Sequence, residues 1–205
     1  MTEDLDPNLL AHQYLYVPWV DGEDMLGLGE ALAQHVAGHF KRRPTVLTAT
    51  RASVSTRLYL SKQVVVTERS GFVPDDTVVI AWCPTRKVMQ KVYDRNSIVV
   101  LIEWPSDSFE AWARLVGAYN VVTGDVMDAR LNDVALEALK GVMWEGYNGW
   151  DSDTARTLTL ARLQELADAG GYDRSIVAQY AEMHGGLHSI DRLKKILDAF
   201  EAGAR

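Results

Sequence analysis

Hydrophobic positions along this chain fall into three successive patterns. In "GEDMLGLGEALAQHVAGHF" (22–40), Met25, Leu28, Leu32, Val36 and Phe40 recur every three or four residues, the period that lines up apolar side chains on one face of a helix. Four runs rich in β-branched residues follow: "TVLTAT" (45–50), "QVVVTE" (63–68), "TVVIAWC" (77–83) and "SIVVLIEW" (97–104). The last three are nearly continuous in apolar character, as strands buried on both faces are. Between and after them, "PTRKVMQKVYDR" (84–95) and "SFEAWARLVGA" (108–118) return to helical spacing. From about residue 132 the β-like runs stop and four helical segments take over, with stripes such as Leu160, Leu163 and Leu166, then Ile176, Val177 and Tyr180, then Ile190, Leu193, Leu197 and Phe200.

Strand and helix in alternation predict an α/β fold: a Rossmann-like layered sheet of four to five mostly parallel strands, with helices on both faces and right-handed crossovers. The fifth strand is "AYNVVTGD" (118–125), short and ending at Gly124, while "YLYVPWV" (14–20) reads as an apolar cluster on an N-terminal arm. "SVSTRLYLSK" (53–62) fits neither period. The remainder predicts a small C-terminal helical bundle, its helices stopped at Gly170-Gly171 and Gly185-Gly186. The expected organisation is an α/β sheet domain over 1–130 and a helical region over 131–205 packed on it.

Composition narrows the class. At 205 residues and 47% apolar, the chain can bury a sizeable core. No apolar run nears the roughly 20 residues of a membrane span, and the acidic start "MTEDLDPN" is unlike a secretory leader. A single cysteine, Cys83, excludes an internal disulfide and favours a reducing compartment, so the expectation is a cytoplasmic protein without membrane association. The net charge of −7 is unevenly spread: residues 41–95 hold eleven Lys or Arg against four Asp or Glu, a local +7, and the rest carries −14. An acidic whole argues against general affinity for DNA, and a local basic block suits a small anion.

In open parallel sheets ligands bind beyond the carboxyl ends of the strands. The four β-like runs lead into "TATRAS" with Arg51, "TERSG" with Glu68, Arg69, Ser70 and Gly71, "CPTRK" with Thr85, Arg86 and Lys87, and "EWPSDS" with Glu103 and Asp107. Arginine after three consecutive strands suits a phosphate, which guanidinium groups hold bidentately, and a helix beginning near Pro84 adds free amides and its dipole. Ser70, Gly71, Thr85 and Lys87 supply short-range donors beside Arg51, Arg69 and Arg86. Glu103 is the first candidate for proton transfer; together with Glu68 and Asp107 it also offers a lesser alternative, a Mg²⁺ site.

Other motifs fall away. Neither GxxxxGK[ST] nor a GxGxxG after a strand is present. Cys83 has no neighbouring histidine in sequence to act as a base and reads as a small apolar residue at a strand end. His35 with His39 and His184 with His188 have i, i+4 spacing without a third ligand. The helical tail, with seven basic and nine acidic residues over 151–205, lacks the charge of a DNA reader. The leading expectation is a protein that binds a phosphorylated small molecule, a nucleotide or sugar phosphate, at the sheet's carboxyl edge, with no reaction type indicated. The competing one is a non-enzymatic interaction or self-assembly module that uses the helical tail and some of its six tryptophans (19, 82, 104, 112, 144, 150).

Overall fold

The structure, a computed structural model, describes residues 7–203; most of the acidic start, residues 1–6, lies outside that range. The chain divides into two compact units between Asp128 and Ala129.

The first unit is an α/β layer built on a seven-stranded sheet. In chain order its elements are β1 (Tyr14–Val17), α1 (Met25–His39), β2 (Thr45–Leu47), β3 (Val64–Val66), β4 (Val78–Trp82), α2 (Arg86–Met89), β5 (Ile98–Ile102), α3 (Glu110–Val116), β6 (Tyr119–Asn120) and β7 (Asp125–Val126). The strands lie in the order β3-β2-β4-β5-β1-β6-β7, and every neighbouring pair is parallel except β6 and β7. This is the Rossmann-like layered fold that the alternating pattern predicts, with two differences in strand count.

First, the expected N-terminal arm is a strand. Tyr14–Val17 pairs with both β5 and β6 and so sits inside the sheet, Leu15 opposite Val100 and Tyr119. Four residues cut short by Pro18 are too few to display a period, which is why the stretch reads as a mere cluster. Second, the expected fifth strand is a hairpin: Tyr119–Asn120 and Asp125–Val126 pair around a turn in which Gly124 adopts φ +75°. The helix expected over 84–95 is also only one turn, Arg86–Met89, and the ambiguous 53–62 stretch contains a short 3₁₀ turn, Leu60–Lys62.

Alternation along the central strands buries both faces, while Val64 of β3 and both residues of β7 are exposed. Leu15, Val17, Val46, Ile80, Trp82, Val100 and Ile102 join Leu32 and Val36 of α1 in one cluster. Gly29 lets α1 approach β5 so closely that a Cβ there would stand 2.5 Å from Ile102 Cγ1. The intervening residues Leu47, Val79, Ala81, Val99 and Leu101 are buried on the opposite face, where α3 lies on β1 and Tyr14 meets Trp112 edge-on at 5.9 Å.

The second unit holds α4 (Asp133–Glu145), α5 (Asp153–Asp168), α6 (Arg174–Met183) and α7 (Ile190–Gly203). Asn132, Ser152 and Asp173 cap the first three with side-chain oxygens that accept backbone N–H bonds. Leu139, Val142, Leu163, Leu166, Ile176, Val177, Leu193 and Leu197 are buried in it. Among the described residues no helix is long and apolar enough to cross a membrane.

Candidate functional site

All five strands from β3 to β1 run parallel, so their carboxyl ends share one edge. The chain leaves β2 outward to β3 and leaves β4 in the opposite direction to β5, which opens the switch point between β2 and β4 where such sheets place ligands. The segments after β2 (Thr48–Arg51) and β4 (Cys83–Lys87) flank it, with 67–71 beyond β2 and 103–107 beyond β4. The adjacency needed to gather the strand-end residues is therefore present.

The basic residues at this edge differ in how far the protein already uses them. Arg51 and Arg69 are exposed, and among the described residues their side chains make neither a hydrogen bond nor an ion pair. Arg86 is engaged: it donates to Ser108 O at 3.3 Å, lies 3.9 Å from Asp107 and covers the Phe109 ring at 6.0 Å. Lys87 sits 3.8 Å from Glu68, whose other oxygen accepts the Thr85 hydroxyl at 2.6 Å. Thr85 in turn caps α2 by accepting from Val88 N at 3.3 Å. A four-residue helix has little macrodipole, so the contribution expected from a helix at Pro84 reduces to this cap.

The loop after β3 is held by a residue that sequence pattern did not single out. Lys91 Nζ donates to the carbonyls of Thr67 (2.6 Å), Ser70 (3.2 Å) and Gly71 (3.1 Å), while the Ser70 hydroxyl pairs with that of Thr67 at 2.9 Å. Gly71 is left-handed (φ +75°), a conformation that only glycine adopts freely. Arg57 is a second unforeseen residue: it lies over the Trp82 ring at 5.4 Å and 3.9 Å from Glu30. Neither has a sequence signal beyond being one of eleven basic residues in the block.

Glu103 points inward. It is 7% exposed; Oε2 accepts from Trp19 N at 3.1 Å and Oε1 from Phe109 N at 2.6 Å. With both oxygens held by amides, it ties the end of β5 to the end of β1 and to the start of α3. The nearby Tyr16 hydroxyl is pushed well above its usual pKa, first by burial and then by the charge and hydrogen bonding of Glu103. The lesser alternative of a Mg²⁺ site at Glu68, Glu103 and Asp107 is not met: among the described residues no three His, Cys, Asp or Glu gather to hold a metal ion. Glu103 is turned to backbone amides, Glu68 to Thr85 and Lys87, and Asp107 to Arg86.

Cys83 occupies the end of β4 with a left-handed backbone (φ +43°) and its N–H donating to Ile102 O at 2.9 Å. Burial pushes its thiol up to about 11, a rise that the Arg57 charge only partly offsets. A group held protonated in this way is a poor nucleophile at neutral pH. Alkylation of native Cys83 at pH about 8 is expected to run at least about tenfold slower than in the urea-unfolded chain, and to accelerate as pH climbs towards 11. Equal rates in the two states would contradict this reading of Cys83.

The tryptophans divide by environment. Trp82, Trp112 and Trp150 are core residues, Trp104 is 43% exposed and Trp144 79% exposed. In the second unit Trp144 and Tyr147 (84% exposed) overlook a cleft of ≈ 340 Å³ that also takes in Lys140, Tyr180, His184 and His188. In the segment "GYNGW" (146–150) that follows α4, Trp150 is buried and Tyr147 is the exposed ring.

Comparison of the chain with family models, with curated proteins and with solved structures returns no match in any of the three.

Proposed function

We propose that this protein binds a phosphorylated small molecule, a nucleotide or sugar phosphate, at the carboxyl edge of its parallel sheet. The observation that carries the reading is the pair Arg51 and Arg69. They follow β2 and β3, neighbouring parallel strands, and neither guanidinium is committed to a partner among the described residues. Neighbouring strands lie about 4.8 Å apart, so two arginines anchored there can reach one phosphate, each with the paired donors that suit its oxygens. Arg86 and Lys87, with Thr85, border the site from β4 across the switch point, and Ser70 and Gly71 form the loop that Lys91 fixes. Calorimetric titration of nucleotides and sugar phosphates into the protein at low salt should give saturable binding that inorganic phosphate competes away. Heat that vanishes only by general charge screening, without saturation, would instead mark diffuse attraction to the basic block.

A second reading, assembly of copies of this chain, is favoured by the exposed aromatic pair Trp144 and Tyr147. They stand beside Glu145, and Trp144 also borders a groove where Glu137 and Glu165 are paired with Lys140 and Arg162. Sedimentation should then show species above the monomer at low and at high salt, lost in Trp144→Ser/Tyr147→Ser. A monomer under all these conditions sinks this second reading.

A further inference from the structure

We infer that Trp104, backed by Trp19, is a nucleobase platform, which makes the phosphorylated ligand a nucleotide and not a bare sugar phosphate; this rests on the anion site proposed above. Along the carboxyl edge the character of the strand ends changes in order. Basic and hydroxyl residues follow β3, β2 and β4, whereas the neighbouring β5 and β1 are followed by Trp104 and Trp19. The two indoles meet at 4.9 Å and 63°, leaving Trp104 43% exposed, so ring surface remains available beside a fixed aromatic neighbour.

The pair is held in place from beneath. The Glu103 N–H donates to Val17 O at 3.0 Å and its carboxylate accepts the Trp19 N–H, while Trp19 Nε1 donates to Asp21 at 2.8 Å. Trp104 heads a tight turn closed by Asp107 N to Trp104 O at 3.1 Å, and Arg86 fastens that turn to the β4 loop through Asp107 and Ser108. A stacking surface ordered before binding loses little entropy when a base arrives. From the end of β5 to those of β2 and β3 is two and three strand spacings, roughly 10 and 15 Å. An extended nucleoside phosphate bridges such a gap, with its base on Trp104 and its phosphates at Arg51 and Arg69. A sugar phosphate is too short to touch both.

The test compares adenosine diphosphate with ribose 5-phosphate on the wild type, Trp104→Ala and Trp104→Phe by calorimetry. The wild type should prefer the diphosphate, and Trp104→Ala should weaken it by about five- to hundredfold, the range that one base stacked on an aromatic ring contributes. Ribose 5-phosphate binding should be unchanged, and Trp104→Phe should restore most of the loss. Binding of both compounds with no base preference, or a preference that survives Trp104→Ala, overturns the platform while leaving the anion site standing. If neither compound binds, the anion site fails and the platform with it.

Discussion

Glu103→Ala is expected to cost about 2–5 kcal/mol of folding stability, the largest loss from any single strand-end substitution. The carboxylate is 7% exposed and is the acceptor for two backbone amides, Trp19 N and Phe109 N, the latter fully buried. Removing it strands the buried Phe109 donor where water does not replace the acceptor and takes the partner of the part-buried Trp19 donor, and a buried donor left unmade costs about 1–3 kcal/mol. The penalty extends to architecture, because those amides belong to the segment after β1 and to the start of α3. Glu103→Gln is the informative companion. Its amide oxygen can still accept from Phe109 N, but its NH₂ confronts the second amide as donor against donor, so the loss should be intermediate. Urea unfolding of the three proteins measures it; a loss below about 0.5 kcal/mol for Glu103→Ala would show that the two bonds are dispensable.

The second large effect concerns binding. Arg51→Ala/Arg69→Ala should lower affinity for a phosphorylated ligand by at least about hundredfold, because each lost charge-assisted pair is worth about 1.5–3 kcal/mol. The fold should not suffer: both side chains are exposed and hold nothing else among the described residues. Arg86→Ala is the contrasting case. Its side chain spans from the β4 loop to Asp107, Ser108 and the Phe109 ring, so its removal loosens the protein as well as the site. A double variant that keeps full affinity would place the ligand elsewhere on the molecule.

Much of the fold follows from periodicity. The runs at Val78–Trp82 and Ile98–Ile102 lack polar alternation because both of their faces are buried, and that absence marks a parallel sheet; Val64–Val66, on the edge, reads the same way but leaves Val64 exposed. Length is what defeats the pattern elsewhere. Tyr14–Val17 is decisive for topology, since it separates β5 from β6, yet four residues before a proline carry no measurable period. The same limit turns Val88 and Val92 into an apparent three-turn helix, where the chain makes one turn and then a run of tight turns.

The candidate site divides along a similar line. Which residues follow the strands is written in the sequence, and the order β3-β2-β4-β5 brings those ends side by side. Which of them stay available is a tertiary matter. Arg51, Arg69 and Arg86 look alike as strand-end arginines, but only the structure separates Arg86, engaged by Asp107 and Ser108, from the other two. Glu103 likewise has the residue type of a general base or metal ligand and the surroundings of an amide acceptor. Lys91 and Arg57 act across sequence distances that no local pattern spans: Lys91 reaches the 67–71 loop, and Arg57 reaches Trp82 and Glu30.

The most direct test is the melting temperature of the wild type and of Arg51→Ala/Arg69→Ala with inorganic phosphate, sugar phosphates and nucleotides, each with and without Mg²⁺. A ligand that binds only the folded state raises that temperature in proportion to its affinity. The account predicts a rise with at least one of these compounds in the wild type and none with the same compound in the variant. No rise with any compound, or the same rise in both proteins, would contradict an anion site at Arg51 and Arg69.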